Sequence, residues 1–258
     1  MGCTVNASLL NRLLEARRSG VPIDSLSPGA LPHSLRDAYA VADALIGELR
    51  LSPNGYKIGA NTARGQQLLG LAEPLSGRTF AERTTRCTGR HDTLGGEVGV
   101  EAEIVLRLAR DLDGALPSDD PGWRCVVSEV LLGIEINHPS YRDALAMGGL
   151  AIIADNGVHA GLVLGVSRSV AELDRLIDTP LRLQVDGAEA RQADARSAGV
   201  DPLQALAWLA RARLACGQAL RAGEWIASGA IVSRGALRAG THIRVGIGDA
   251  VECELTLD

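Results

Sequence analysis

The amino-acid sequence predicts an α+β fold, with a helical N-terminal segment over residues 1–75 and a β-rich domain over residues 76–258. Three observations carry that prediction. Two amphipathic helix patterns fill the start of the chain, short apolar runs split by glycine dominate from about Gly55 onward, and one further clear helix pattern follows Asp201. At 258 residues the chain is long enough to bury a core without disulfide staples.

In "ASLLNRLLEARRSG", Leu9, Leu10, Leu13 and Leu14 recur at helical spacing, and Arg17, Arg18 and Gly20 supply a cationic last turn and a stop. A second helix is predicted over about 35–50, where Ser34 stands three residues before Asp37 in a variant of the capping box, followed by Tyr39, Val41, Ala42, Leu45, Ile46 and Leu49. "NGYKIGANT" reads as an extended stretch in which Tyr56 and Ile58 face a core and Lys57 faces the opposite way. The runs "VEAEIVLRLA", "VLLGIEIN", "AIIADNG", "GLVLGV" and "LRLQVDG" read as strands. Asp155, Asn156 and Gly157 tolerate left-handed backbone, so "AIIADNGVHAGLVLG" reads first as a hairpin. Asp201 caps and Pro202 opens the late helix "DPLQALAWLARARLAC", after which "AGEWIASGAIV", "THIRVGIG" and "AVECELTLD" return to strands.

Three Trp, three Tyr and one Phe leave the core to Leu, Val, Ile and Ala. A net charge of -5 provides no cationic field for phosphates, and so few rings provide little surface for stacking bases, which speaks against a nucleic-acid partner. Five scattered cysteines without a C-x-x-C pair read as reduced thiols. No stretch reaches the roughly 18 apolar residues that span a bilayer, and the N-terminus lacks a signal-peptide core, so a cytoplasmic protein is expected. "MGCTVN" offers Gly2 and Cys3 for acylation, but Asn6 stands where Ser or Thr is needed.

In "GVEAEIVLRLA", strand alternation puts Val100, Ala102, Ile104 and Leu106 on one face and Glu101 and Glu103 together on the other. Neighbouring carboxylates repel unless water screens them or a cation sits between them, and such an all-oxygen set suits Mg²⁺, Mn²⁺ or Ca²⁺ rather than zinc. The same pattern also describes a solvated strand face. Glu135 lies inside the apolar run "VLLGIEINHPSY", where a charged carboxylate needs compensation by an arginine, by an open face, or by a cation shared with Glu101 and Glu103. His159 reads as an ordinary polar residue, or as a ligand or base. There is no G-x-S-x-G, P-loop or catalytic-cysteine signature.

Taken in order, "GYKIG" with the following "QQLLG", then "VEAEI", "GIEI", "ADN" followed by "GLVLG", and "LRAGEWIASGA" resemble the 2-keto-4-pentenoate hydratase and 4-oxalocrotonate decarboxylase group of the fumarylacetoacetate hydrolase superfamily. The resemblance implies a β-rich mixed-sheet roll of the fumarylacetoacetate hydrolase type, and a divalent metal, Mg²⁺ or Mn²⁺, held by Glu101, Glu103 and Glu135. It implies a small 2-oxo or 2-hydroxydienoic acid substrate from aromatic-compound catabolism, with Lys57, Asn156 and Gly229 as substrate-binding residues. Lys57 would meet the substrate's carboxylate and enol oxygens, Glu82 would act as acid/base, and Asp155 or Asn156 would orient water or a ligand. Hydration of a 2-hydroxy-2,4-dienoate to a 4-hydroxy-2-oxo acid is the implied reaction. A 4-oxalocrotonate-type decarboxylase and a non-catalytic complex subunit are the alternatives. A homo-oligomer, and a complex with a related decarboxylase or hydratase, are implied as well. The chain departs from the group at His138, Pro139 and Ser140, where Asp-Ser-Arg is frequent, at Val158, where serine is frequent, and at Glu82, where Asp is expected. A Lys57 that meets substrate rather than the fold is expected to be replaceable at little cost in stability.

Overall fold

The computed structural model describes residues 6–258. Gly2 and Cys3 lie outside the described residues, and Cys87, Cys125, Cys216 and Cys253 are free thiols. Helix α1 (Ala7–Ser19) starts where the Asn6 side chain accepts a hydrogen bond from the Leu9 amide, and it ends at Gly20 with φ 73°, a left-handed position that glycine adopts without a Cβ clash. Helix α2 (Leu35–Leu49) starts at Ser34, whose side chain accepts from the Asp37 amide. Leu9, Leu13, Val41 and Leu45 from the two helices pack with Ile23 and Tyr141 into one apolar cluster. Each such aliphatic side chain contributes about 1.5–3 kcal/mol by leaving water, which holds the pair against the rest of the chain.

The strands form two mixed sheets. The larger runs β2 (Leu75–Phe80), β1 (Pro53–Gly59), β10 (Trp225–Ala227), β5 (Val98–Leu108), β6 (Val127–Asn137), β7 (His159–Leu164) and β3 (Thr84–Arg86), with β11 (Val232–Leu237) also paired to β5. The smaller runs β4 (Thr88–His91), β13 (Ala250–Leu257), β12 (His242–Ile247), β8 (Leu181–Val185) and β9 (Arg191–Ala193). One face of the larger sheet, with Val100, Ile104, Ile134 and Val163, packs on Ile243, Val245 and Leu255 of the smaller sheet and on the helix Pro202–Ala215. The alternate residues of the same strands, among them Val105, Leu131 and Leu162, form a separate cluster on the opposite face.

Two expectations are corrected. The segment before residue 75 is not wholly helical, because β1 lies inside the larger sheet between β2 and β10, and the paired helices end at Leu49. The stretch around "AIIADNG" is not the first arm of a hairpin. Gly149–Ala154 is a helix with Ala151, Ile152, Ile153 and Ala154 buried, and a short apolar run cannot distinguish a strand from a helix buried all round. The turn chemistry does survive, since Asn156 and Gly157 have φ 53° and 62°, but the turn joins a helix to β7. Val158 follows at φ 58°, a strained setting for a β-branched residue.

Candidate metal centre

Strands β5 and β6 pair antiparallel with Glu101 opposite Glu135 and Glu103 opposite Gly133, so alternation along both strands delivers three carboxylates to one face. An oxygen from each lies within 4.8 Å of the others. Glu103 and Glu135 are fully buried and Glu101 is half-buried. Like charges opposed across a sheet are destabilising, and burial strengthens the repulsion.

The surrounding residues offset only part of it. Lys57 Nζ, delivered by β1, lies 3.2 Å from Glu135 Oε1, and His159 Nδ1, delivered by β7, lies 2.9 Å from the same oxygen. The Gly229 amide donates to Glu103 Oε2 at 2.8 Å. Glu103 Oε1, Glu135 Oε2 and Asn137 Oδ1 are buried without a hydrogen-bond partner. These orphaned acceptors, set among three carboxylates and one ammonium, fit a hard divalent cation, which takes oxygen ligands and supplies the missing positive charge.

The protonation energetics agree. Burial, then repulsion from Glu135 and Glu101, pushes the Glu103 carboxyl well above its ordinary range, and burial together with Glu135 raises Glu101. Burial works against Glu135 too, but the Lys57 charge and the His159 contact outweigh it and hold it below the ordinary range. Burial opposes the charge on Lys57, yet Glu135, Glu101 and Glu103 together raise its pKa. Lys57 and Glu135 are therefore an ion pair, and a divalent cation held by the three glutamates would stabilise the ionised forms of the other two.

The Glu103 contact depends on a tight turn. Asn61 Nδ2 donates to the Ser228 carbonyl at 2.6 Å and Ser228 Oγ donates to the Ile104 carbonyl at 2.7 Å, which together aim the Gly229 amide. Gly229 has φ 114°, and a Cβ there would sit 2.2 Å from Asn61 Nδ2. Gly229 thus touches a candidate ligand rather than open space.

The remaining sequence candidates fall elsewhere. Asp155 is buried, and its oxygens accept from Arg17 Nε at 2.8 Å, from Ser140 Oγ at 2.7 Å and from the Ser140 amide at 2.8 Å. Arg17 also donates to the carbonyls of Asp155 and His159, so Asp155 ties α1 to the start of β7. Arg17 also puts a guanidinium beside Ser140, from a different element than the sequence suggests. Asn156 is committed to β2, its Oδ1 accepting from the Arg78 amide at 2.7 Å and its Nδ2 donating to the Arg78 carbonyl at 2.9 Å. Glu82 is exposed and accepts from the Ser52 amide at 3.0 Å, a contact that lowers its pKa and stands apart from the three carboxylates. Asn137 was not singled out from the sequence, although strand parity with Glu135 is the signal that could have found it. Arg17 and Asn61 carry no local signal.

No family model matches the chain. It is 33% identical over 225 residues to the TodF product hydratase of Pseudomonas putida strain F1, across 80% of this chain and 78% of that one. Its fold is similar to that of 4-oxalocrotonate decarboxylase from Pseudomonas putida G7, complexed with magnesium and adipate, with a TM-score of 0.85, 19% identity, and 98% and 97% of the two chains covered. Fumarylpyruvate hydrolase from Pseudomonas aeruginosa, in complex with Mn²⁺ and pyruvate, is similar at a TM-score of 0.59 and 15% identity, over 80% of this chain and 89% of that one. At those identities the structural likenesses speak for the fold.

Proposed function

The chain belongs to the 2-keto-4-pentenoate hydratase and 4-oxalocrotonate decarboxylase group of the fumarylacetoacetate hydrolase superfamily, and from that membership we infer that it is a metal-dependent hydratase adding water to a 2-hydroxy-2,4-dienoate to give a 4-hydroxy-2-oxo acid. The observation that carries the reading is the set of buried, unsatisfied carboxylate oxygens of Glu103 and Glu135 beside Glu101 and the charged Lys57. Glu101, Glu103 and Glu135 would hold Mg²⁺ or Mn²⁺, with Asn137 Oδ1 adjacent. When bound, the cation supplies Lewis acidity toward the carboxylate and 2-oxygen of the substrate.

The chain's own residues do the rest. Lys57 presents a fixed ammonium to negative charge that develops on the substrate's oxygens, and its stem runs beneath Gly157, where a Cβ would approach Lys57 Cδ to 3.1 Å. His159, kept neutral by burial, fixes the Glu135 carboxylate through Nδ1, and the Gly229 amide fixes that of Glu103. Hydration is favoured over decarboxylation because the 33% identity is to a hydratase. A second carboxylate on the substrate would also need its own cation, whereas Lys57 and His159, the basic groups contacting the cluster, both engage Glu135.

A place in aromatic-compound breakdown follows from the related hydratase. No helix among the described residues is long and apolar enough to cross a membrane. The free thiols support a cytoplasmic setting, and a homo-oligomer, alone or with a related decarboxylase or hydratase, is the assembly we expect. The test supplies Mg²⁺-loaded protein with 2-hydroxypenta-2,4-dienoate and, separately, with 4-oxalocrotonate, following dienoate absorbance and CO₂. Water addition to the first is expected. CO₂ release from the second without hydration of the first would overturn the assignment.

A further inference from the structure

A cavity of about 310 Å³ opens beside the last turn of α1, and Lys57, Glu101, Glu103 and Glu135 do not line it. Its polar wall contains Arg17, Arg83, Arg90, His91 and His138, and Ile136, Ala160 and Leu94 give it an aliphatic side. Two of the three guanidiniums are already neutralised, Arg17 by Asp155 and Arg90 by Asp258 at 2.9 Å. Arg83 is different. It is half-buried, and among the described residues it has no carboxylate or carbonyl within hydrogen-bond reach. The acids nearest in sequence face backbone amides instead, Glu82 that of Ser52 and Asp92 that of Leu94 at 2.7 Å. Burial and then the repulsion of Arg17 pull the Arg83 pKa down, and the attraction of Glu82, which makes no hydrogen bond to it, offsets only part of this. His91 Nε2 and His138 Nδ1 face each other at 3.4 Å, which leaves His91 Nδ1 and His138 Nε2 without a protein partner among the described residues.

We propose that this cavity binds a small organic monocarboxylate, its carboxylate held by Arg83 and a ring nitrogen of the His91–His138 pair and its short carbon chain laid against Ile136, Ala160 and Leu94. A guanidinium matches a carboxylate through two parallel hydrogen bonds, and pairing removes the cost of a lone half-buried cation. The volume lies at the small end of the range for small-molecule sites. One guanidinium with free donors suits one carboxylate. With Arg17 and Arg90 hydrogen-bonded to carboxylates, Arg83 is the guanidinium on this lining whose donors are free among the described residues, and Glu82 and Asp92 on the same lining disfavour a ligand of more than one negative charge. The site stands whether or not dienoate hydration is the reaction, and an acid such as the reaction's own 4-hydroxy-2-oxo product has the right charge for it.

The experiment is calorimetry on the Mg²⁺-loaded protein with pentanoate, glutarate and inorganic phosphate, for wild type and Arg83→Gln. Pentanoate is expected to bind at one site with a Kd on the order of 1 mM, more tightly than glutarate or phosphate. Arg83→Gln should weaken pentanoate by about tenfold or more, as loss of charged hydrogen bonds does, while leaving Mg²⁺ affinity, melting temperature and sedimentation unchanged, since no protein partner is lost. Equal pentanoate affinity in the two proteins overturns the proposal, as does tighter binding of glutarate or phosphate. Pentanoate binding abolished by Glu103→Gln but not by Arg83→Gln would place the acid at the metal centre. An altered oligomeric state in Arg83→Gln would make Arg83 a subunit contact.

Discussion

Replacing Lys57 by methionine removes a charge but little volume, and the structure fixes what should follow. Lys57 is 4% exposed, and its ammonium is the cation that holds Glu135 ionised beside Glu101 and Glu103. Removing one partner of a buried pair costs about 3–5 kcal/mol. At about 2–4 °C per kcal/mol for a chain of this size, the metal-free protein should melt roughly 6–20 °C lower. Protonation of Glu135 limits the damage, so the loss should shrink as pH falls. This reverses the expectation from sequence that Lys57 is cheap to remove, because the face it occupies is not solvent but is closed over by Glu135 and the Gly157 turn. Mg²⁺ should bind more tightly to the variant, because the competing ammonium is gone, and saturating Mg²⁺ should close much of the gap in melting temperature, while turnover is lost. Scanning calorimetry with chelator and with Mg²⁺, alongside Mg²⁺ titration, measures all of this. A metal-free melting temperature within about 2 °C of wild type, or weaker Mg²⁺ binding, would refute the buried-pair account.

Glu103→Gln should weaken Mg²⁺ binding by about tenfold or more, and equal affinity by calorimetry would take Glu103 out of the site. Gly229→Ala should destabilise by about 1–3 kcal/mol, since its φ is strained for any Cβ and that Cβ meets Asn61. Urea unfolding that matched wild type would show the turn to be slack. The His91 pKa is pushed from 6.5 to about 4 by burial and then by His138 and Arg83, so the neutral ring supports the fold above 6.5 and that support is lost as pH falls toward about 4. His91→Gln should flatten the decline of melting temperature across that window, and an unchanged slope would assign the decline to other groups.

The legible parts of the site were those governed by strand parity. Glu101 and Glu103 share a face because they stand two positions apart on one strand, and Glu135 stood out as an acid within an apolar run. Register decides the rest. That Glu135 lies opposite Glu101, and that β1 brings Lys57 to it, depends on how separate strands align, which no single segment encodes. The helices α1 and α2 were readable because Asn6, Ser34 and Gly20 mark their ends. The helix Gly149–Ala154 was not, because burial on all sides erases periodicity. The resemblance gave Asp155 the task of orienting water or a ligand, and its partner Arg17, 138 positions away, could not be read from the segment around it. Asn61 meets Ser228 across 167 positions, and no local pattern announces it.

The link from Arg17 to Asp155 also sets a timetable for biosynthesis. At roughly 5–20 residues per second, a ribosome needs roughly 7–28 s to travel from Arg17 to Asp155. During that interval α1 can pack its leucines on Val41 and Leu45 of α2, but Tyr141 and Ala151 join that cluster only near its end and Asp155, the partner of Arg17, comes last. The first element made is therefore among the later ones to dock, and when it docks it clamps the carbonyl of His159, the residue that braces Glu135. A nascent chain stalled before residue 155 holds its two N-terminal helices without an anchor on the sheet, whereas one that passes it gains, in a single docking event, both its N-terminal layer and the start of the strand that braces the candidate metal site.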